Sequence, residues 1–287
     1  MESRGLIDKN KKEWPEYLKL WDMFKPPARP ANFDVKLWEK YIKKLLKENK
    51  SVKALVFGST PEIRDLLAKY KISTSVLEIN PRMPERLLMF MKHKNQRKEK
   101  VFIRNWLDVN KIFSSNTFDF AIGHMVFNNI PWRLHRKLAY GIRQVLKKDS
   151  YLLMASPILG KIKKTYGREI VLTYQNNPRY FKNFSNRWYV IEILKKLDYN
   201  KRGRRIFFKK IKQRLIDEIK KQGLPDKVIN NLWAFGEYDS VDNYIGVHPP
   251  LSELLNILKN YFKVEKILYG PGPEFKNYPE FVLRPKK

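Results

Sequence analysis

The stretch ALVFGSTPEIRDLL, residues 54–67, changes character at a single residue. Up to Phe57 it is an apolar run, the pattern of a buried strand. From Pro61 onward Ile63, Leu66, Leu67 and then Tyr70 fall at helical spacing. Gly58 stands at the join. Thr60 followed by Pro61 fits an N-cap with proline at the first helical position. Nucleotide-binding units begin with such a strand, turn and helix, because the helix N-terminus offers unpaired N–H groups to an anion. A dinucleotide turn spaces three glycines as Gly-x-Gly-x-x-Gly so that the backbone can approach a pyrophosphate. Here those positions hold Gly58, Thr60 and Ile63. A turn with only the first glycine suits a carboxylate better than a diphosphate. Ser59 and Thr60 would add backbone N–H groups and hydroxyls.

The second strand, TSVLEIN (74–80), places Glu78 twenty residues after Gly58. A carboxylate there can accept hydrogen bonds from both hydroxyls of a ribose. The ligand implied is a nucleoside with a small acidic tail and no pyrophosphate, a description that S-adenosyl-L-methionine matches. Three more strands follow, KVFIRNW (100–106), TFDFAIGHMVF (117–127) and SYLLMASP (150–157). Helical patterns at 33–46, 84–93 and 133–148 alternate with them. After a break the pattern resumes as a helix at 251–262 and strands at 263–270 and 279–285. The turn-rich link between those last strands is too short for a parallel crossover, so they pair antiparallel. The expected fold is α/β: a doubly wound, mostly parallel seven-stranded sheet with a C-terminal antiparallel strand pair and a helical, aromatic insertion after the fifth strand. The organisation expected is an N-terminal arm (1–32), a core (33–157 and 247–287) and the insertion (158–246).

The ordered set ALVFGSTPEIRDLL, SVLEINP, FIRNWLDV, NTFDFAIGHMVFNNIP and IRQVLKKDSYLLMASP resembles the motif order of class I, Rossmann-like, S-adenosylmethionine-dependent methyltransferases. The resemblance spans roughly 33–157 and 248–285, and is nearest to branches with a G-x-T-P-E turn. It implies that Gly58, Ser59 and Thr60 hold the methionine part, that Glu78 holds the ribose with Ile79 beside the adenine, and that Asn105 and Trp106 contact the adenine. It also implies that Gly123 and His124 face the amino group and the substrate. The family more often has aspartate where Asn105 stands, and LKKDSY departs from its usual Lys-Pro-Gly-Gly turn.

The composition bounds the partners. No cysteine is present, which excludes disulfides and thiolate metal sites, and four scattered histidines argue against a structural zinc. No metal is expected. No apolar run nears the ~20 residues of a membrane helix, and the first residues have no apolar signal core, so the expected location is cytoplasmic, without membrane insertion. The charge is +30, from 59 basic and 29 acidic residues. Such a field attracts polyanions, although lysine enrichment throughout a chain produces the same number. Residues 161–221 alone hold 19 basic and 5 acidic side chains. There Phe207, Ile211, Leu215 and Ile219 mark an amphipathic basic helix.

The insertion is expected to act as lid and substrate selector, its aromatic residues Tyr174, Tyr180, Phe181, Phe184, Trp188, Trp233, Phe235, Tyr238 and Tyr244 lining a pocket or stacking on bases. Asn128, Asn129 and Trp132 lie in NNIPW, which resembles the clamp of N6-adenine methyltransferases; Asn129 could equally cap a helix that Pro131 begins. His124 is the candidate base or substrate ligand. In the arm, Arg29 is a candidate partner for the methionine carboxylate, the arm itself either a flap over the cofactor or a tail packed on the sheet. The function expected is in-line methyl transfer from S-adenosylmethionine to a small-molecule acceptor. An RNA-directed enzyme and a non-catalytic S-adenosylmethionine-binding protein are the alternatives. The sequence does not fix an oligomeric state.

Overall fold

The computed structural model describes residues 21, 24–49, 51–160, 167–197, 199–233 and 245–286. Helix α1 (Asn32–Glu48) leads into β1 (Lys53–Phe57), α2 (Pro61–Lys69) and β2 (Ser73–Glu78). Then come β3 (Lys98–Ile103), β4 (Phe118–His124), α3 (His135–Val145) and β5 (Leu146–Ala155). The insertion contains α4 (Gly167–Asn176), α5 (Phe184–Leu197), β6 (Arg205–Phe207), α6 (Phe208–Lys221) and β7 (Ile245–Val247). The chain returns through α7 (Leu251–Leu258), β8 (Phe262–Leu268) and β9 (Glu280–Pro285).

Seven strands form one sheet in the order β3-β2-β1-β4-β5-β9-β8. The first five are parallel, and β9 runs antiparallel to both β5 and β8. The expected doubly wound sheet with its C-terminal antiparallel pair is therefore present. Side chains alternate across it, as strand geometry requires. Ala54, Val56, Val76, Phe120, Ile122 and Leu153 pack with Trp38 and Ile42 of α1 and Ile63 and Leu67 of α2. Leu55, Phe57, Leu77, Ala121, Leu152 and Met154 face Leu138 and Ile142 of α3 and Leu254 and Leu258 of α7. Each buried Val, Leu, Ile, Phe or Met among them contributes about 1.5–3 kcal/mol. Among the described residues no helix is long and apolar enough to cross a membrane.

Several element boundaries differ from the sequence pattern. The helix expected over 84–93 is one α-turn (Met83–Arg86) followed by a 3₁₀ turn (Leu87–Phe90). Its apolar residues do not share a face, since Leu87 is buried while Met89 is 74% exposed. Helix α3 stops at Val145 because Leu146 already pairs with Phe118, so β5 begins four residues earlier than expected. Helix α7 is likewise shorter than 251–262, with Phe262 opening β8. In the insertion, Arg205–Phe207 is a strand paired with Ile245–Val247. The basic helix starts at Phe208, which joins Ile211, Leu215 and Ile219 on the buried stripe in place of Phe207.

Two buried polar clusters brace the core. Arg64 of α2 is nearly inaccessible; it grips both oxygens of Glu99 on β3 (Nη2–Oε1 2.5 Å, Nε–Oε2 3.1 Å) and donates to the Pro84 carbonyl (2.7 Å). It thereby fixes the turn after β2. On the α1 face, Glu280 accepts from Trp38 Nε1 (3.0 Å) and lies against Asp34. Burial drives Asp34 up to about 6 and Glu280 well above the usual carboxylate range; Asp34 opposes ionisation of Glu280, whereas the hydrogen bond with Glu280 favours the ionised form of Asp34. The folded pair holds protons that the unfolded chain would release. The stabilising contribution of Asp34 is thus full below about pH 4 and is lost as pH rises through about 6, while that of Glu280 declines over a range extending to higher pH. Glu280→Gln should flatten that part of the stability profile, measured by urea unfolding between about pH 4 and 7. Parallel profiles for the two proteins would show that the pair shares no proton.

Candidate active site

In an open α/β sheet, ligands bind beyond the carboxyl ends of the strands where strand order reverses. That point lies here between β1 and β4, and a cavity opens there. Gly58, Ser59 and Thr60 after β1, Glu78 and Ile79 at the end of β2, Asn105 and Trp106 after β3, and His124 and Met125 at the end of β4 all line it. Of the residues expected at the cofactor site, Gly58, Ser59, Thr60, Glu78, Ile79, Asn105, Trp106 and His124 line this one cavity, and Gly123 and Arg29 do not.

Gly58 adopts φ +83°, a left-handed conformation that glycine tolerates best. Its N–H donates to the Leu77 carbonyl (2.9 Å). A Cβ at this position would lie 3.4 Å from the Trp106 ring and 4.0 Å from Glu78 Oε2, so the glycine keeps open the space between those two groups. Glu78 is held from three sides. Ser59 Oγ donates to Oε2 (2.9 Å), and the N–H groups of Ile79 and Asn80 donate to Oε1 (2.7 and 2.9 Å). Burial pushes its pKa up, against these hydrogen bonds. The Ser59 hydroxyl is thus committed to Glu78, leaving the turn's backbone to meet a ligand. Trp106 is anchored by Nε1 donating to the Leu77 carbonyl (2.7 Å) and stands edge-on to Phe57. Asn105 uses Oδ1 to cap the next turn, accepting from the Leu107 N–H (3.0 Å).

His124 lines the cavity and is half-buried; burial drives its pKa down to about 3, so the imidazole is neutral near neutral pH. A group so hard to protonate is a weak base. Gly123 sits one residue earlier inside β4, packed against Phe57 and Val126, outside the cavity lining. Asn129 reaches the cavity while Nδ2 donates to the Met125 carbonyl (3.0 Å). Asn128 is buried against Gly246 of β7.

Other expected site residues lie elsewhere. Arg29 forms an ion pair with Glu62 (2.5 Å), donates to the Trp21 carbonyl (3.1 Å) and lies over the Trp21 indole. It latches the arm to α2 and is not in the cavity wall. Trp132 lines a separate surface groove. Trp233 is fully buried, edge-on to Phe208, in a second hydrophobic core that belongs to the insertion. Phe181 and Trp188 are buried in the same core, with Tyr174 and Phe184 against it, while Tyr180 is exposed. Tyr238, with Phe235 and Tyr244, falls outside the described residues. Among the described residues, none of 158–246 lines the cavity.

The walls that sequence reasoning missed are apolar. Trp21, Phe24 and Ala28 of the arm and Met83 and Leu87 after β2 close one side, with Met125 and Ile130 beyond β4. Trp21, Met83 and Leu87 form a small cluster of their own with Phe24. Among the described residues of the arm, Trp21, Phe24 and Ala28 line the cavity and Arg29 does not.

No family model matches the sequence, and no curated protein does. Solved structures match over nearly the whole chain. The CcbJ methyltransferase from Streptomyces caelestis is 9% identical, with 94% of this chain and 96% of that one covered and a TM-score of 0.55. The 1,6-didemethyltoxoflavin-N1-methyltransferase of Burkholderia thailandensis, solved with its acceptor and S-adenosylhomocysteine, is 9% identical over 100% and 90% of the two chains, TM-score 0.53. A Rhodobacter sphaeroides protein provisionally described as a Zn-dependent alcohol dehydrogenase is 14% identical over 96% and 98%, TM-score 0.56. Identities this low carry the fold alone. Among the described residues no three His, Asp or Glu side chains gather as a metal would need. With its strand order and its cavity at the β1/β4 switch point, the chain has the class I S-adenosylmethionine-dependent methyltransferase fold.

Proposed function

We propose that this chain is an S-adenosylmethionine-dependent methyltransferase acting on a small-molecule acceptor in the cytoplasm. The observation that carries the reading is Glu78, a buried carboxylate locked by three donors across a gap from Trp106 that Gly58 keeps open. A ribose fits between such an acceptor and such a ring. Glu78 would hold the ribose hydroxyls, Trp106 and Ile79 would flank the adenine with the Asn105 amide beside them, and the backbone of 58–60 at the start of α2 would receive the carboxylate end.

When bound, S-adenosylmethionine supplies a methyl group already made electrophilic by the sulfonium. The chain's own work is then to align the acceptor and exclude water. Trp21, Phe24, Leu87, Met125 and Ile130 supply a dry wall. The neutral imidazole of His124 and the side chain of Asn129 are polar groups that could orient an acceptor atom there. A largely apolar cavity suits a compact acceptor, and the toxoflavin-precursor enzyme of the same fold acts on one.

The test is calorimetry with S-adenosylhomocysteine. Hydrogen bonds to a charged group contribute about 1.5–3 kcal/mol, so Glu78→Ala should weaken binding roughly 10- to 100-fold. Unchanged affinity in a folded variant would remove the cofactor assignment.

A further inference from the structure

Outside the cavity, Trp132 and Arg133 form a ridge between two shallow grooves. One, of about 410 Å³, runs between this turn and the hairpin tip at 200–205, and Arg202 and Arg205 line it with Asn200. The other, of about 270 Å³, continues past Arg136 toward Asn256 and Ile257. Four arginines and one indole therefore lie along a continuous path. The first groove has no carboxylate in its lining among the described residues. Glu253, which borders the second, is taken by Arg204.

The wall is built to stay in place. Asn200 and Arg205 exchange both backbone hydrogen bonds (2.9 and 3.2 Å), and Asn200 Oδ1 accepts from the Gly203 N–H (2.8 Å). Arg204, at φ +53°, grips both oxygens of Glu253 on α7 (2.5 and 2.9 Å). Its carbonyl accepts from the His248 N–H (2.8 Å). The hairpin is thus tied to the core by one arginine while its neighbours face the groove. The segment 129–132 joins the two sites: Asn129 and Ile130 line the cavity, Pro131 and Trp132 the groove.

The geometry points to a docking track for a single-stranded polynucleotide, with Arg133, Arg136, Arg202 and Arg205 taking phosphates and Trp132 stacking a base. Guanidinium forks match phosphate oxygens, and an aromatic ring accepts any base face. Two successive subsites sharing one ridge fit a chain with a repeating anion better than a single small anion. The track lies outside the cavity, so it goes beyond the cofactor reading and stands whatever the methyl acceptor is.

The experiment is fluorescence anisotropy with a labelled oligouridylate of about twelve nucleotides, long enough for such a site, at about 0.15 M salt, where the protein's general field is largely screened. Arg133→Glu with Arg202→Glu should lower affinity by more than roughly tenfold and flatten the plot of log affinity against log salt by about 1.4, two phosphate contacts being lost. Trp132→Leu, which keeps an apolar side chain, should cost roughly tenfold. Reversing Lys36, Lys40 and Lys47, exposed on α1, removes more charge but should cost less than about threefold. Glu78→Ala should leave strand binding unchanged while weakening S-adenosylhomocysteine binding, so the two readings fail separately. The track is overturned if the α1 reversal costs as much as the groove reversal, if the groove variants bind like the parent, or if tripolyphosphate at matched phosphate concentration displaces the strand completely.

Discussion

Gly58→Val removes measurable binding of S-adenosylhomocysteine, a loss of more than roughly a hundredfold, or ~3 kcal/mol, in a chain that still folds. Two effects add. The residue sits at φ +83°, where an L-residue is strained by roughly 1–2 kcal/mol and a β-branched one by more. Its Cβ would lie in ordinary contact with Trp106 Cζ2, at 3.4 Å. The two methyls beyond that Cβ must then enter the gap between Trp106 and Glu78, where the ribose is placed. A domain stability of about 5–15 kcal/mol absorbs the backbone strain, but the site cannot absorb the volume. Gly58→Ala separates the two, since it keeps the strain without the methyls and should bind more tightly than the valine variant. Calorimetry with a thermal melt alongside checks all three proteins. Valine binding within about threefold of the parent would place the ligand elsewhere.

Lys195→Ala has the largest expected effect on stability, a loss of about 3–5 kcal/mol. Lys195 of α5 is 1% exposed. Its ammonium pairs with Glu192 and hydrogen-bonds Tyr278 Oη (2.6 Å), and it lies over the rings of Trp188, Phe208 and Tyr278 at 5.1–5.9 Å. The other Glu192 oxygen accepts from Asn277 Nδ2 (2.7 Å). Asn277 and Tyr278 belong to the β8–β9 connection, so this cluster fastens the insertion to the sheet. Burial already pushes the lysine pKa down, with Glu192 resisting. Removing the cation leaves Glu192 charged in a dry interior, which costs more than the pair contributed. Lys195→Met combined with Glu192→Met should recover much of the loss, because an apolar pair of similar volume leaves no orphan charge. Urea unfolding gives both numbers, and a single-variant loss under about 1 kcal/mol would show the pair to be incidental.

Residues 54–67 and Glu78 made the cofactor side of the fold legible because those features are local. A strand's apolar run, an N-cap with its proline and a strand-end carboxylate are each written within a few positions. The occupation of the Arg29 guanidinium was not legible, since nothing in the sequence reveals that Glu62, 33 residues on, stands within 2.5 Å. The aromatic insertion was ambiguous for a different reason. A ring that lines a pocket and a ring that fills a core look alike in sequence, and here Phe181, Trp188 and Trp233 fill a core. Trp21, Phe24 and Met83 lie outside the helical patterns, and Leu87 falls in one that the structure breaks after a single α-turn, so none was announced as a cavity wall. Their one signal was apolar bulk in turn-rich stretches next to the Gly58 and Glu78 segments.

Phe24, Ala28 and Met125 belong to two structures at once, lining the cavity while packing on the insertion's core. Equilibria that share side chains are thermodynamically coupled, and the coupling is reciprocal. A ligand that holds those three residues in place is therefore expected to slow hydrogen exchange in the core they pack against. An insertion loosened from within must return the same factor as weaker ligand affinity, although among the described residues it never touches the ligand site. Phe24, Ala28 and Met125 are therefore the place where occupancy of the cavity and the state of the insertion's core are expected to be linked.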